Sequence, residues 1–531
     1  MTQPDEVIAG GRIHTLDPSA PSAQALALLQ GNVLASGRDD EILPLAGART
    51  LITHLHGRSV LPGLIDAHLH LQHLALAMER VDCETPSLAE CLSRVAERAR
   101  ATPEGEWILG HGWNQNTWGR FPDRSALDEV APHHPVYLTA KSLHAGWANS
   151  LALRRAKLDR ASADPIDGRL QRDAQDGLTG ILLEGAMQLV ASALPAPSLE
   201  EVARAVAGAQ ARLWEIGLTG VHDFDGPMCF AALQTLRDRG ELGLRVLKSI
   251  PLDQLDAAVE LGLRSGFGDD WIRLGAVKVF ADGALGPRTA AMLDDYEAEP
   301  GNRGTLLQDR ETLFEIGRRA LPAGLSLAVH AIGDRANHEV LQAFSALRRE
   351  AAAPGAPRMP GRIEHVQLLH PEDVPRLARL NLVASMQPIH ATSDMEMAQR
   401  YWGGRVRTSY AWRSLASAGT RLIFGSDAPV ESPNPFWGWH AAITRRRHDG
   451  SPDPEGWLPQ ERLDRMEALL AFTRHPAELA GLAGRQGVLR PGSLADLIVL
   501  DGDPFDCPAE ELHTLRPSAT MIGGRWRYRA F

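Results

Sequence analysis

Short apolar runs separated by turn residues occur near both ends of the chain. Residues 7–9, 25–29 and 33–35 are each followed by turn-forming residues, and the pattern returns at residues 497–500 and 519–522. Such runs predict β-strands. Because a short isolated β-ribbon is only marginally stable, we expect the strands of the two ends to pair with each other. The pattern therefore predicts one β-sandwich domain, formed by residues 1–60 plus 485–531.

Between these ends, apolar runs rich in β-branched residues alternate with helical periodicity. The candidate strands are residues 221–224, 244–250, 272–280, 326–330, 362–367, 382–386 and 421–424, and the helical patterns include residues 199–216, 313–321 and 340–349. Another strand ends at Ile65, behind the Pro62-Gly63 turn, which brings the number of strands to eight. Eight strand–helix units predict an α/β fold, a (β/α)8 TIM-type barrel over residues 61–484, with its active site at the carboxyl ends of the strands.

Residues 81–196 are too many for a single strand–helix unit. Connections inside compact domains are usually short, so this segment is predicted to be an insertion after the first barrel strand. It is rich in tryptophan, with Trp107, Trp113, Trp118 and Trp147.

Composition and charge exclude several classes of protein. The 531 residues are 44% hydrophobic and 23% charged, which is an ordinary soluble composition. The formal charge of -11 argues against nucleic acid as a partner, because a polyanion requires a basic face. The densest basic cluster, Arg445-Arg446-Arg447-His448, is typical of a solvated helix end.

The cysteines and the first residues indicate the compartment. Four widely spread cysteines without a C-x-x-C pair are typical of reduced thiols in the cytoplasm. The first residues lack the basic start and apolar run of a signal peptide, and no segment approaches the length of a membrane span. We therefore expect a cytoplasmic protein with no membrane partner.

The first candidate chemistry is the pair His68 and His70, just after Ile65. On an extended backbone, residues i and i+2 point to the same face, so the two imidazoles are expected to converge. Two neutral imidazoles at a strand end suit the first two ligands of a zinc-type cation. A bare His-x-His is more often a surface or core pair, so the interpretation depends on the rest of the chain.

Further residues of ligand type stand at the ends of later strands: Lys278, His330, His365 and Asp427. Strand-end side chains of a barrel converge on one mouth. Three or four histidines with a carboxylate there match a hydrolytic zinc site in ligand type. The alternative for each single histidine is a satisfied core residue, and it would have to hold for all of them independently.

Six motifs in order resemble those of the amidohydrolase superfamily, and more closely its branch of YtcJ-like proteins and N-substituted formamide deformylase. They are Leu61-Pro-Gly-Leu-Ile-Asp-Ala-His-Leu-His70, Lys278-Val-Phe-Ala-Asp-Gly-Ala-Leu-Gly286, His330-Ala-Ile-Gly-Asp-Arg-Ala-Asn337, Arg362-Ile-Glu-His-Val-Gln367, Ser385-Met-Gln-Pro388 and Phe424-Gly-Ser-Asp-Ala-Pro-Val430. The resemblance covers nearly the whole chain.

The resemblance implies a binuclear site with two divalent metal ions, which we expect to be zinc. His68 and His70 would hold the more buried ion, and His330 and His365 the more exposed one. Lys278, carboxylated by CO2, would bridge the two through its carbamate, and Asp427 would bind one ion and act as the general base.

Alternatives to these roles stay open. Lys278 could be an ordinary snorkelling lysine, which would leave a single-metal site or a water-bridged pair. Glu184 is a less favoured substitute bridge, because it lies in the insertion. Asp427 could instead cap a turn, since Pro429 follows two residues later, and this role is compatible with catalysis.

Substrate contacts are also inferred from the resemblance. Segments 110–115 and 144–150 resemble segments that cover the barrel mouth in this branch, although Leu143 stands where the branch commonly has glycine. The candidate contact residues are Trp113, His144, Arg288 and His390, and support of the fold is an equal alternative for each. Pro287 replaces the serine expected before Arg288. An aromatic-rich lid favours a substrate with an apolar or aromatic N-substituent.

The sequence thus predicts a metal-dependent hydrolase that cleaves a C–N bond in a small amide such as an N-substituted formamide. One alternative is the same site acting on a cyclic amide, a carbamate or an ester such as a lactone. Others are an isomerase or decarboxylase, and a non-catalytic regulatory or binding member, since the fold does not fix the function. The expected partners are a small-molecule substrate and a second copy of the chain in a homodimer.

Overall fold

A computed structural model describes residues 3–141, 145–166, 168–297, 299–350 and 359–531. By internal contacts the chain divides into two compact units. The first unit comprises Met1–Ala75 and Val202–Phe531, and the second comprises Leu76–Glu201.

An eight-stranded parallel sheet forms the centre of the first unit. Its strands, in chain order, are β1 (Leu64–Leu69), β2 (Leu218–Asp223), β3 (Arg245–Pro251), β4 (Ile272–Phe280), β5 (Leu327–Ala331), β6 (Arg362–His365), β7 (Val383–Met386) and β8 (Arg421–Phe424). Each strand pairs with the next in sequence, and a single bridge between Leu69 and Ala428 nearly closes the sheet between β1 and the end of β8. The predicted barrel is confirmed.

The first strand differs from its prediction. It does not end at Ile65 but begins at Leu64 and continues to Leu69, while the preceding apolar run, Ser59–Pro62, belongs to another sheet. Asp66 allows the strand to continue although it is polar, because its buried carboxylate accepts hydrogen bonds from the backbone N–H of His68 and of Ser426. His68 therefore lies inside β1, and His70 follows its last residue.

Helices follow the barrel strands and cover their outer face in the usual strand–helix order. The α-helices that lie wholly or partly outside the second unit are Asp39–Ile42, Leu71–Met78, Leu199–Glu215, Pro227–Asp238, Leu255–Glu260, Arg310–Ala320, Asp334–Glu350, Val374–Arg379, Pro388–Trp402, Trp412–Ser417, Pro435–Thr444, Arg465–Ala471 and Arg474–Leu479. The 3₁₀ helices are Leu43–Leu45, Leu252–Gln254, Pro371–Asp373, Gly403–Thr408, Pro459–Glu461 and Ala509–Thr514. No helix within the described ranges is long and apolar enough to cross a membrane.

Strands from both ends of the chain build two further sheets. One has the order Asn32–Gly37, Ala25–Leu29, Glu6–Ala9, Leu51–His54, and the other has the order Arg525–Arg529, Pro517–Ile522, Leu497–Leu500, Ser59–Pro62, Arg12–His14, Ser22–Ala23. Residues 59–62 and 497–500 pair antiparallel. The sheets share one apolar core, in which Ile8 and Leu26 pack with Val499 and Met521. The ends of the chain thus form an additional β-domain, and its predicted boundaries stay a prediction.

The second unit has its own sheet and core. The sheet order is Gly168–Arg172, Leu178–Glu184, Ala145–Ala148, Val136–Ala140, Ile108–Trp113, Val81–Asp82, and the helices are Leu88–Ala101, Gln115–Trp118, Arg124–Val130, Ser150–Arg155 and Met187–Ala191. Trp113 and Trp147 are fully buried in its core, with their rings 6.4 Å apart and nearly perpendicular. The tryptophans noted in the sequence therefore include packing residues of this unit.

Candidate metal centre

The end of β1 places two imidazoles against one carboxylate. His68 Nε2 and His70 Nε2 each lie 3.4 Å from Asp427 Oδ1. Asp427 follows β8, and its backbone N–H donates to the carbonyl of His68 at 2.7 Å, so that β1 holds both partners in register. His68 is buried, and its ring stacks on Phe224 at 4.2 Å.

A carboxylate on a neighbouring element orients each of these two rings. His68 Nδ1 lies 2.6 Å from Glu364 Oε2, and His70 Nδ1 lies 3.2 Å from Asp225 Oδ1. An ionised carboxylate only accepts hydrogen bonds. In the neutral ring, Nδ1 therefore carries the hydrogen and Nε2 keeps its lone pair. In the neutral form of each ring, the Nε2 lone pair is therefore available beside Asp427.

Strands β5 and β6 bring His330 and His365 to the same place. The His365 ring centroid lies 4.9 Å from that of His68 and 4.5 Å from that of His330. His365 Nδ1 donates to Gln387 Oε1 at 2.9 Å, and His330 Nε2 donates to the carbonyl of Gly283 at 2.9 Å. Each imidazole thus uses one nitrogen as a donor and retains one lone pair for a ligand.

Burial keeps three of the imidazoles neutral. It lowers the pKa of His68 to about 4 and of His330 to about 3, with the nearby Lys278 ammonium adding to both shifts, and it lowers the pKa of His365 well below its usual range. At His70 burial acts in the same direction, but hydrogen bonds with Asp225 and Asp427 outweigh it and raise the pKa to about 9. A cation at His70 therefore competes with a proton, since metal ligation requires the neutral ring.

The Asp427 carboxylate stays ionised. Burial alone would raise its pKa, but His68, then His70 and His365, hold the pKa well below its usual range. The backbone φ of Asp427 is +60°, a left-handed conformation that costs a non-glycine residue roughly 1–3 kcal/mol. Its carbonyl accepts the N–H of Val430, so it starts a turn, while the next helix, Pro435–Thr444, is capped by Asn434.

Lys278, on β4, is a buried amine in contact with aromatic rings. Its Nζ lies 4.6 Å from the ring centroid of Phe224 and 4.9 Å from that of Phe280, and it makes no hydrogen bond within the described part of the chain. Burial lowers its pKa to about 8, despite the opposing effect of Glu364 and Asp427. The nearby Lys248 differs, since its Nζ is 2.9 Å from Asp223 Oδ2 and 3.1 Å from the Ser249 carbonyl.

The donor set fits a divalent transition metal. One ligand atom from each of His68, His365 and Asp427 lies within 4.8 Å of the others, and all three residues are buried. Neutral imidazole and carboxylate are the ligand types that zinc-like ions take, and the orienting partners of the rings complete the arrangement. His70, in its neutral form, adds a fourth possible ligand atom, because its Nε2 lies 3.4 Å from the same Asp427 oxygen.

The candidate substrate residues fall in different places. His390 is buried beside the centre, with Nε2 3.9 Å from Asp427 Oδ2. Arg288 pairs with Glu299 at 2.6 Å and lies over the Tyr401 ring. Trp113 has the contacts of a core residue, since it is fully buried and its Nε1 donates to the carbonyl of Leu138. His144 lies outside the described residues, so its substrate contact stays a prediction, as do those of the others.

Sequence reasoning missed the residues that orient the ligands. Glu364, Arg362 and Asp225 are buried, and Arg362 donates to Glu364 Oε2 at 2.9 Å and to the carbonyl of Ala67 at 2.7 Å. One signal was present in the sequence: Arg362 and Glu364 are charged, alternate on one strand and therefore share a face. Two charged residues on one face of a barrel strand indicate a buried ion pair.

Exchanging Glu364 for glutamine weakens metal binding. The amide still accepts from His68 Nδ1, but the ring loses the carboxylate that makes Nε2 more basic, and we expect metal affinity to fall by about 10- to 100-fold. Competition with a calibrated chelator measures this. The matched control is Glu461→Gln, another buried glutamate, whose carboxylate accepts from Ser414 outside the centre. Equal affinity in Glu364→Gln and wild type would contradict the orienting role.

The chain matches a known protein family over most of its length. The model of the amidohydrolase family matches residues 52–528. The putative amidohydrolase YtcJ of Bacillus subtilis is 32% identical over 98% of this chain and 98% of its own length. N-substituted formamide deformylase of Arthrobacter pascens is 31% identical over 99% of both chains.

A solved structure agrees with these sequence relatives. The crystal structure of a metal-dependent hydrolase from Pyrococcus furiosus superposes with a TM-score of 0.78 at 30% identity. The match covers 94% of this chain and 100% of the other.

Proposed function

Since this chain belongs to the amidohydrolase family and is a metal-dependent hydrolase, we propose that it cleaves the C–N bond of a small N-substituted amide, with N-substituted formamides as the first class to test. The observation that supports this most directly is the meeting of His68 Nε2 and His70 Nε2 at one oxygen of Asp427. Two imidazole nitrogens oriented toward one ionised carboxylate are the arrangement that metal-assisted hydrolysis requires.

The proposed ligands form two groups. His68, His70 and Asp427 would hold one ion, and His330 and His365 would hold a second. Lys278, carboxylated on Nζ, would supply the ligand that the two ions share. Zinc is the metal we propose, because imidazole nitrogen and carboxylate oxygen are among its usual ligands.

When bound, the metal ions polarise the substrate carbonyl and lower the pKa of water toward neutrality. Asp427 accepts a proton from the attacking water, because its carboxylate is held in the ionised form. It then delivers that proton to the nitrogen of the departing amine as the C–N bond breaks. One carboxylate thus serves first as base and then as acid, and the products are a carboxylic acid and an amine.

Support for an N-substituted formamide comes from the relative named N-substituted formamide deformylase, which matches this chain over nearly its full length. The metal ligands determine the type of reaction, whereas the residues that line the site determine which acyl group is accepted. Arg288, His390, His144 and Trp113 remain the proposed contacts. We also propose a cytoplasmic homodimer, and the free cysteines of the structure are consistent with a reducing compartment.

The test is a panel of N-aryl and N-alkyl formamides, acetamides, cyclic amides, carbamates and lactones, assayed with metal-loaded protein and with chelated protein. We expect metal-dependent release of amine and formate in equal amounts from at least one formamide. Turnover restricted to lactones or carbamates would overturn the amide proposal and retain the hydrolase. Absence of turnover on the whole panel, with full metal content, would favour a regulatory or binding member.

A further inference from the structure

We infer that His390 is a catalytic residue, whose Nε2–H donates a hydrogen bond to the oxyanion that forms on the substrate carbonyl, and that Gln367 is the positioning residue that fixes the required tautomer. This inference rests on the proposed function, because it names the group that stabilises the intermediate of that reaction.

His390 has a buried nitrogen with no partner. It is 7% exposed, and its Nε2 has no hydrogen-bond partner among the described residues. That atom faces Asp427 Oδ2 at 3.9 Å, which is beyond hydrogen-bonding distance. A buried polar group without a partner costs roughly 1–3 kcal/mol, so its persistence beside a reactive centre indicates a partner that arrives with the substrate.

Gln367 determines which nitrogen of His390 carries the hydrogen. Gln367 Nε2 lies 3.4 Å from His390 Nδ1. In this orientation of the Gln367 amide, its nitrogen donates and Nδ1 accepts, which places the hydrogen of the ring on Nε2. The unpartnered atom is therefore a donor, and it cannot offer a lone pair to a metal ion or act as a base in this tautomer.

The position of His390 suits a developing negative charge. It lies in the first turn of the helix Pro388–Trp402, where the helix dipole contributes partial positive charge. Its ring is nearly parallel to that of His365, at 12° and 6.0 Å between centroids. The Nε2–H donor therefore lies beside His365, a proposed metal ligand, and close to Asp427.

Asp427 and His390 have separate parts in the proposed chemical step. The oxygen of water bonds to the carbonyl carbon and loses one proton to Asp427, while the carbonyl π electrons move onto its oxygen. His390 Nε2–H donates to this oxyanion and keeps its proton throughout. As the C=O bond re-forms, the C–N bond breaks, and the amine nitrogen takes the proton from Asp427.

Kinetics of His390→Phe and His390→Gln test the donor. Phenylalanine keeps the ring without a donor, and we expect kcat to fall by about 10²- to 10³-fold, as on removal of one oxyanion donor, with KM little changed. Glutamine offers an amide N–H close to the position of Nε2 and should restore part of the loss. A phosphonamidate that mimics the tetrahedral intermediate should bind His390→Phe more weakly than wild type, by the same factor as the fall in kcat.

The matched control is His338→Phe, because His338 is a partly buried histidine whose Nδ1 pairs with Asp373 on an outer helix. Metal content by elemental analysis must equal that of wild type in every variant. A rise in KM without a fall in kcat, or loss of metal from His390→Phe, would overturn the oxyanion role.

A second measurement does not depend on turnover. Nitrogen-15 NMR of metal-loaded protein labelled at histidine, with the His390 signals assigned by their loss in His390→Gln, reports the tautomer. We expect a protonated Nε2 and an unprotonated Nδ1 in wild type, and a mixture of tautomers in Gln367→Met. A lone pair on Nε2, or a metal-shifted Nε2, would overturn the inference even if no amide were hydrolysed. Inactivity of wild type combined with the expected tautomer would instead count against the proposed function.

Discussion

Exchange of Asp427 for asparagine lowers kcat for amide hydrolysis by about 10³- to 10⁴-fold, which is the upper part of the range for general acid–base catalysis. Asparagine keeps the shape and one oxygen but cannot accept the proton of water. His68 and His70, which keep the Asp427 carboxylate ionised in the wild type, are unchanged in this variant. The measurement is the rate of amine release at saturating substrate and saturating metal.

The control is Asp373→Asn, which removes a buried carboxylate that pairs with Arg376 and His338 on the outer helices. It should lower stability and leave kcat unchanged. Metal content of Asp427→Asn, measured on the same samples, separates loss of a base from loss of a ligand. A kcat within tenfold of wild type at full metal content would sink the assignment of Asp427 as the base.

Replacement of Lys278 by methionine should remove metal and activity together. A pKa near 8 instead of 10.5 raises the neutral fraction of this amine at pH 7 by roughly 300-fold, and only the neutral amine attacks CO2. Formation of the new N–C bond releases one proton and yields a carbamate whose two oxygens share one negative charge. Without that bridge, we expect metal affinity to fall by more than about 100-fold, since even outer partners of metal ligands account for 10–100-fold.

Lys248→Met is the matched control. Lys248 is also buried, but its ammonium is already paired with Asp223 and with backbone carbonyls, so it is not available for carboxylation. Elemental analysis should find about two metal ions per chain in wild type and in Lys248→Met, in keeping with a two-metal site. One ion, retained in Lys278→Met, would exclude the carbamate bridge and leave Asp427 as the base of a single-metal centre.

Much of the fold was predictable because its strands are apolar runs with clear ends. Residues 272–280 were predicted as a strand, and β4 has the same bounds. At β1 the predicted end at Ile65 is wrong, because the strand continues through the polar residue Asp66 to Leu69. The hydrogen bonds from Ser426 that satisfy Asp66 come from the loop after β8, which meets β1 only when the barrel closes, so local sequence could not show them.

The site was predictable to the extent that ligand types stand at strand ends. His68 and His70 are two residues apart at the end of one strand, and their spacing alone indicated that they share a face. The partners that orient them could not be found in this way. Glu364 lies almost three hundred residues from His68, and Asp225 follows a different strand, so their contacts exist only once the barrel has closed.

The pairing of residues 59–62 with residues 497–500 imposes an order on synthesis and assembly. The N-terminal strands leave the ribosome first, yet the partner that completes their sheet is made more than four hundred residues later. At typical rates of 5–20 residues per second this delay is roughly 20–90 s. During it, an apolar strand edge stays open, and such edges recruit other chains. Yield in the cell should therefore depend on chaperone capacity more than the stability of the finished protein suggests.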